Sequence, residues 1–137
     1  MDFGIKDKVA VITGGGSGIG KATADVLAAE GVKLALVGRT SDKLEKAAEE
    51  LSKQTKTIPV TADLTKVDEV EAAKQEILDR FGAVDILVNS AGITGATGEF
   101  LTLTESDWYD TLEINLLVQY VSVKLLSLLC SNKAGAE

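Results

Sequence analysis

"TGGGSGIG", residues 13–20, decides how this chain reads. Its glycines fall between the apolar run KVAVIT (8–13) and a stretch with helical spacing. A turn carrying a buried strand into a helix gathers free backbone N–H groups and the positive end of the helix dipole at one spot. Such a spot suits a pyrophosphate. Glycines let the backbone approach the phosphates, at a cost in chain entropy that an idle turn would avoid. The spacing is Gly14-x-x-x-Gly18-x-Gly20, which departs from the G-x-G-x-x-G dinucleotide pattern. A glycine-rich turn without a ligand therefore stands as the alternative on these residues alone.

Outward from the turn, three further apolar runs have strand length: KLALVG (33–38), TIPV (57–60) and VDILVN (84–89). Continuous rather than alternating apolarity predicts strands buried on both faces, as in a parallel sheet. Between them lie helical stripes. Ile19, Ala22, Val26, Leu27 and Ala29 precede a stopping Gly31; Leu44, Ala47, Ala48 and Leu51 form the second; Val67, Val70, Ala73, Ile77 and Phe81 form the third, closed by Gly82. Thr104 with Asp107 three residues on opens the fourth helix as a cap. The βαβαβαβα order with right-handed crossovers predicts an α/β, Rossmann-like doubly wound parallel sheet of order 3-2-1-4, in one domain spanning 1–137.

Composition narrows the function classes. A net charge of −7 argues against nucleic acid and anionic membrane surfaces as partners. One cysteine and no histidine leave no disulfide framework, no zinc cluster and no Ser-His-Asp chemistry. The charged start, MDFGIKDK, does not read as a signal peptide, so a cytoplasmic setting is the expectation. From Ile114 to Cys130 the last helix is apolar nearly all round. Polar interruptions at Asn115, Gln119 and Lys124 favour burial against sheet and partner over a membrane span.

Four stretches in order resemble the short-chain dehydrogenase/reductase family. Thr13-Gly14-x-x-x-Gly18-x-Gly20 is similar to its cofactor signature. TADLT (61–65) places Asp63 where the family's Asp contacts adenine. NSAG (89–92) matches Asn-Asn-Ala-Gly with Ser90 replacing the second Asn, and EINLL (113–117) places Asn115 at the catalytic-tetrad Asn. The resemblance implies a nicotinamide dinucleotide held by Gly14, Ser17, Gly18, Ile19, Gly20, Arg39, Thr40, Asp63, Leu64, Asn89, Ala91 and Gly92. Taken residue by residue, Asp63 reads equally as a helix-start residue, Asn89 as a turn former and Asn115 as a hydrated helix polar group.

The end of the second strand speaks to which dinucleotide. An NAD site usually carries an acid there for the ribose hydroxyls. Here Gly38 occupies the place and Arg39 follows, with Thr40 and Ser41 beside it. A guanidinium pairs with a 2′-phosphate, so NADP is favoured; an Arg packing over adenine in an NAD site is the alternative.

In the resembling enzymes, such as 3-oxoacyl carrier-protein reductases, a Ser, a Tyr and a Lys beyond the tetrad Asn carry out hydride transfer. Those positions follow a fifth strand, and this chain ends at Glu137, soon after Asn115. YVSVK (120–124) spells Tyr-x-x-x-Lys, with Ser106 upstream. Yet Tyr120 lies just past Asn115 on the same helix, and Ser106 is about 20 Å back along it. These side chains do not converge on one carbonyl, so the expectation is a truncated, inactive chain with a vestigial Asn115 and weak cofactor affinity. A non-catalytic dinucleotide-binding or interaction module is the alternative.

The tail suggests an origin. Synonymous codons can be chosen for Ser127–Glu137, followed by a TAA stop, so that the same bases, read one nucleotide earlier from a C ending the Leu126 codon, encode LPSMQQQGWGRI. That string is similar to the family's continuation, and the expectation is a frameshift near residue 126, which the coding DNA tests. The apolar fourth helix and an uncovered fourth strand would then favour a homo-oligomer.

Overall fold

The structure, a computed structural model, describes residues 2–131. Four parallel strands make one sheet: β1 (Val9–Thr13), β2 (Lys33–Gly38), β3 (Thr57–Thr61) and β4 (Ile86–Asn89). Their order is β3-β2-β1-β4, the order expected from the sequence. Register runs Ala10 beside Leu34 on one side of β1 and beside Ile86 on the other.

Alternating side chains divide the core in two. Ala10, Ile12, Leu34 and Leu36 face α1 (Gly18–Ala29) and α2 (Ser41–Leu51). Val9, Val11, Ala35, Val37, Ile58 and Val60 face Ala73 and Ile77 of α3 (Val67–Phe81). Both faces of the central strands are thus buried, which is why their sequences read as unbroken apolar runs.

The stripe on α2 is the expected one: Leu44, Ala47, Ala48 and Leu51 are all buried. On α1 the stripe is different. Gly20, Ala24 and Ala28 are buried, whereas Ile19 and Val26 are 81% and 65% exposed. The spacing is still helical, but the face pressed on the sheet is the one with the smallest side chains. A Cβ at Gly20 would run into the carbonyl of Gly14, so the helix sits too close to the turn for larger residues on that side. On α3, Val67 is likewise exposed, and burial starts at Val70. Gly82, with φ +76°, closes that helix.

β4 departs from the expectation of two buried faces. Ile86, Leu87 and Val88 are only half-buried, because β4 pairs with β1 alone and forms an edge of the sheet. The fourth helix is also not one regular helix. It comprises α4 (Glu105–Leu112), a π-helical turn (Glu113–Leu117) and α5 (Val118–Ser131), preceded by a short 3₁₀ turn at Phe100–Thr102. The capping box at its start is present: Asp107 N–H donates to Thr104 Oγ1, and Thr104 N–H donates to the Asp107 carboxylate at 2.7 Å. Val118 and Ser122 are buried, while Leu112, Leu116, Leu117, Tyr120 and Val123 are exposed, so up to residue 124 the apolar helix is covered along one side only. No helix among the described residues is long and apolar enough to cross a membrane. The end of the expected out-of-frame tail, residues 132–137, lies outside the described residues.

Candidate functional site

The carboxyl ends of β1, β2, β3 and β4 open onto one cleft of about 390 Å³. Its position follows from topology. The loops after β1 and β4 diverge at the middle of the sheet, leaving a crevice beyond the strand ends. Gly14, Ser17, Gly18 and Ile19 form its floor, Arg39 and Thr40 one end, Asp63 and Leu64 the adjoining wall, and Ala91 and Gly92 the far wall.

The glycine turn is held in a shape that other residues would not fit. Gly14 has φ +69°, and a Cβ there would lie 2.8 Å from the Ser90 carbonyl oxygen. Gly14 N–H donates to the Val37 carbonyl at 2.7 Å, pinning the turn between β2 and the loop after β4. Gly18, by contrast, faces open space in the cleft, where a Cβ would meet nothing within 4 Å. The backbone at the start of α1 is therefore bare on the side where a ligand would lie.

Asp63 is set by a local turn. Its Oδ1 accepts the Thr65 N–H at 3.0 Å and the Thr65 hydroxyl at 2.8 Å. Those hydrogen bonds, first the backbone one, hold its carboxyl below the usual carboxylate range, aided by the nearby charges of Arg39 and Lys66. Asp63 N–H donates in turn to Glu69 Oε2 at 2.7 Å. Asp63 thus lies on the cleft wall in the turn before α3, whose own N-cap is Lys66.

Two of the expected cofactor residues lie outside the lining. Gly20 is buried behind the turn, where its role is close packing on Gly14. Asn89 ends β4 in register with Thr13. Asn115 also stands behind the wall: its Nδ2 donates to the Ile93 carbonyl at 2.9 Å, and its Oδ1 accepts the Ile93 N–H at 3.0 Å. Its π-turn neighbour Ile114 lines the cleft, as does Val118 at the start of α5. A π turn inside a helix often marks a functional position.

Among the lining residues that sequence reading missed are Thr65, Ile93, Ile114 and Val118, together with the part played by Thr13. The Thr13 hydroxyl is buried and accepts N–H bonds from Ser90 and Ala91 at 3.1 and 3.2 Å, tying β1 to the far wall. For Thr65, the spacing Asp-x-Thr was an available signal, because an Asp side chain commonly bonds two residues on. The apolar lining had no such signal, since helix-borne apolar residues read as core.

A parallel sheet of this order, with a glycine turn at its switch point, defines a dinucleotide-binding type of fold. The short-chain dehydrogenase family model matches residues 8–136, and the chain belongs to that family. An uncharacterized oxidoreductase of Staphylococcus saprophyticus is 39% identical over 113 residues, 82% of this chain and 45% of the relative. Among solved structures, a 3-ketoacyl-ACP reductase from Sinorhizobium meliloti 1021 superposes with TM-score 0.87 at 34% identity, over 91% of this chain and 49% of that one. The L-sorbose reductase of Gluconobacter frateurii, complexed with NADPH and L-sorbose, gives TM-score 0.85 at 36% identity, over 92% and 48%. The chain spans about half the length of the curated relatives it matches.

Proposed function

We propose that residues 1–137 form a single dinucleotide-binding domain of an oxidoreductase lineage, holding NADP(H) in the cleft without completing carbonyl chemistry on their own. The observation that carries this reading is the cleft itself: a bare glycine backbone at a helix start, with a guanidinium at one end and no acid at the end of β2. The residues suit the ligand. N–H groups at the start of α1 face the place of a pyrophosphate, Arg39 with Thr40 suits a 2′-phosphate, and Asp63 with Leu64 flanks a purine. A relative bound to NADPH supports the choice of NADP over NAD.

When bound, the nicotinamide supplies hydride. Within this chain, Asn115 holds the loop at Ile93 in place rather than reaching a reacting atom. Tyr120 is 64% exposed and, like Lys124, stands outside the cleft lining, which supports the reading that YVSVK is not an acid/base pair. Self-association through the exposed helix face and the β4 edge is part of the same proposal.

Titration of NADPH and NADH by calorimetry tests it. Binding of NADPH in the micromolar range or weaker, with NADH weaker still, is the expected result. Failure of both to bind, or carbonyl reduction that Tyr120→Phe abolishes, would overturn the reading.

A further inference from the structure

The far wall of the cleft is the loop after β4, Ser90 to Ile93, and the helix behind it is bonded to it through two side chains. Asn115 pairs with both backbone groups of Ile93. One helical turn later, Gln119 Nε2 donates to the Ala91 carbonyl at 2.7 Å. Side-chain amides at 115 and 119 thus meet carbonyls at 93 and 91, so helix and loop run past each other in opposite directions.

Gln119 stands out because its other amide atom gains nothing. Its Oε1 is buried and has no hydrogen-bond partner among the described residues. Turning the amide over would not help, since two oxygens would then face each other at Ala91. An orphaned buried acceptor costs about as much as one neutral hydrogen bond returns. The side chain therefore adds little to the stability of the fold, and an apolar residue of the same shape would serve the core as well.

We propose that Gln119 is a positioning residue for the dinucleotide: it holds the Ala91 peptide, and through it the Ser90–Ile93 wall, in the shape the ligand meets. The inference rests on the dinucleotide reading above. Thr13 fixes the N–H groups of Ser90 and Ala91, Asn115 fixes Ile93, and Gln119 supplies the remaining tie at the Ala91 carbonyl. A wall ordered beforehand spares the ligand the entropy of ordering it.

Two variants of the full chain test the proposal. Gln119→Met keeps the shape and removes both amide atoms; Gln119→Asn keeps an amide too short to reach Ala91. Both should weaken NADPH binding by about five- to tenfold and quicken amide hydrogen exchange in the peptide spanning Ser90–Ile93 without ligand. Gln119→Met should keep a thermal midpoint at or above that of the parent chain. Parent-like affinity and exchange in both variants would overturn the proposal. So would a midpoint that falls in step with affinity, because Gln119 would then be an ordinary structural residue. A parent chain that binds no NADPH would instead sink the dinucleotide reading, while faster exchange in the variants would still show the tie to the wall.

Discussion

Thr13 illustrates how much of the site depends on a single atom. Its buried hydroxyl oxygen takes two N–H groups from the loop after β4. Thr13→Val keeps the branched shape and leaves those donors without an acceptor. The expected cost is about 1–3 kcal/mol in denaturant unfolding, with weaker NADPH binding because the wall loses its tie to β1. Arg39 is proposed to act on the ligand instead. It is exposed and lines the cleft, so Arg39→Asp should leave stability nearly unchanged. Loss of a charge-assisted bond to a 2′-phosphate is expected to cost about 1.5–3 kcal/mol of NADPH affinity and to reverse the preference toward NADH. Calorimetric titration of both cofactors checks it, and equal losses for the two would mean Arg39 does not meet the 2′-phosphate.

At the scale of elements, the start of α4 is the most separable unit. Thr104 donates its N–H to Asp107, and that bond is the main reason the Asp107 carboxyl lies below its usual value of 3.8. A carboxyl lowered in the fold adds stability above its unfolded pKa and loses it as pH falls through the lower folded value. The first turn of α4 should therefore loosen only on acidification below about pH 3.8, and Asp107→Asn should flatten that dependence. Trp108, the one tryptophan in the sequence, sits on this turn and reports it by fluorescence. Thr104→Ala is expected to cost about 1 kcal/mol by chemical denaturation.

The elements also show where sequence reading reaches its limit. Strand number, order and helix limits were legible because buried parallel strands and capped helices leave local marks: an unbroken Val/Ile/Leu run, a Thr-x-x-Asp, a glycine in the left-handed region. The buried side of α1 was not, since large apolar residues such as Ile19 and Val26 pull the eye away from the Gly20-Ala24-Ala28 line that packs. The π turn at Glu113–Leu117 left no local mark either; its Asn115 is bonded to Ile93, more than twenty positions away. Most of the cleft lining followed from the glycine turn and the family resemblance. Ile114 and Val118 did not, because nothing local tells a helix residue facing a cleft from one facing a core.

Taken whole, the described residues have a covered sheet interior and an uncovered flank. Leu116, Leu117, Tyr120 and Val123 are exposed on the last helices, and β4 is an edge strand. Exposed apolar residues and an open ladder of backbone groups favour association of copies, even against a net charge of −7. Light scattering at micromolar protein should give a dimer or larger species, and the pair Leu116→Glu with Leu117→Lys should shift it toward monomer. A monodisperse monomer in the parent chain would count against the association proposed here.

The position of β1 has a further outcome for synthesis. Of these four strands it is the first to leave the ribosome, yet it lies between β2 and β4 in the sheet. Its first neighbour emerges about twenty residues later, but the other waits until Asn89 has cleared the exit tunnel. For that interval a nascent chain carries a naked strand at what will become its centre, and the slow, distant closure onto β4 is the step at which chaperones would matter most.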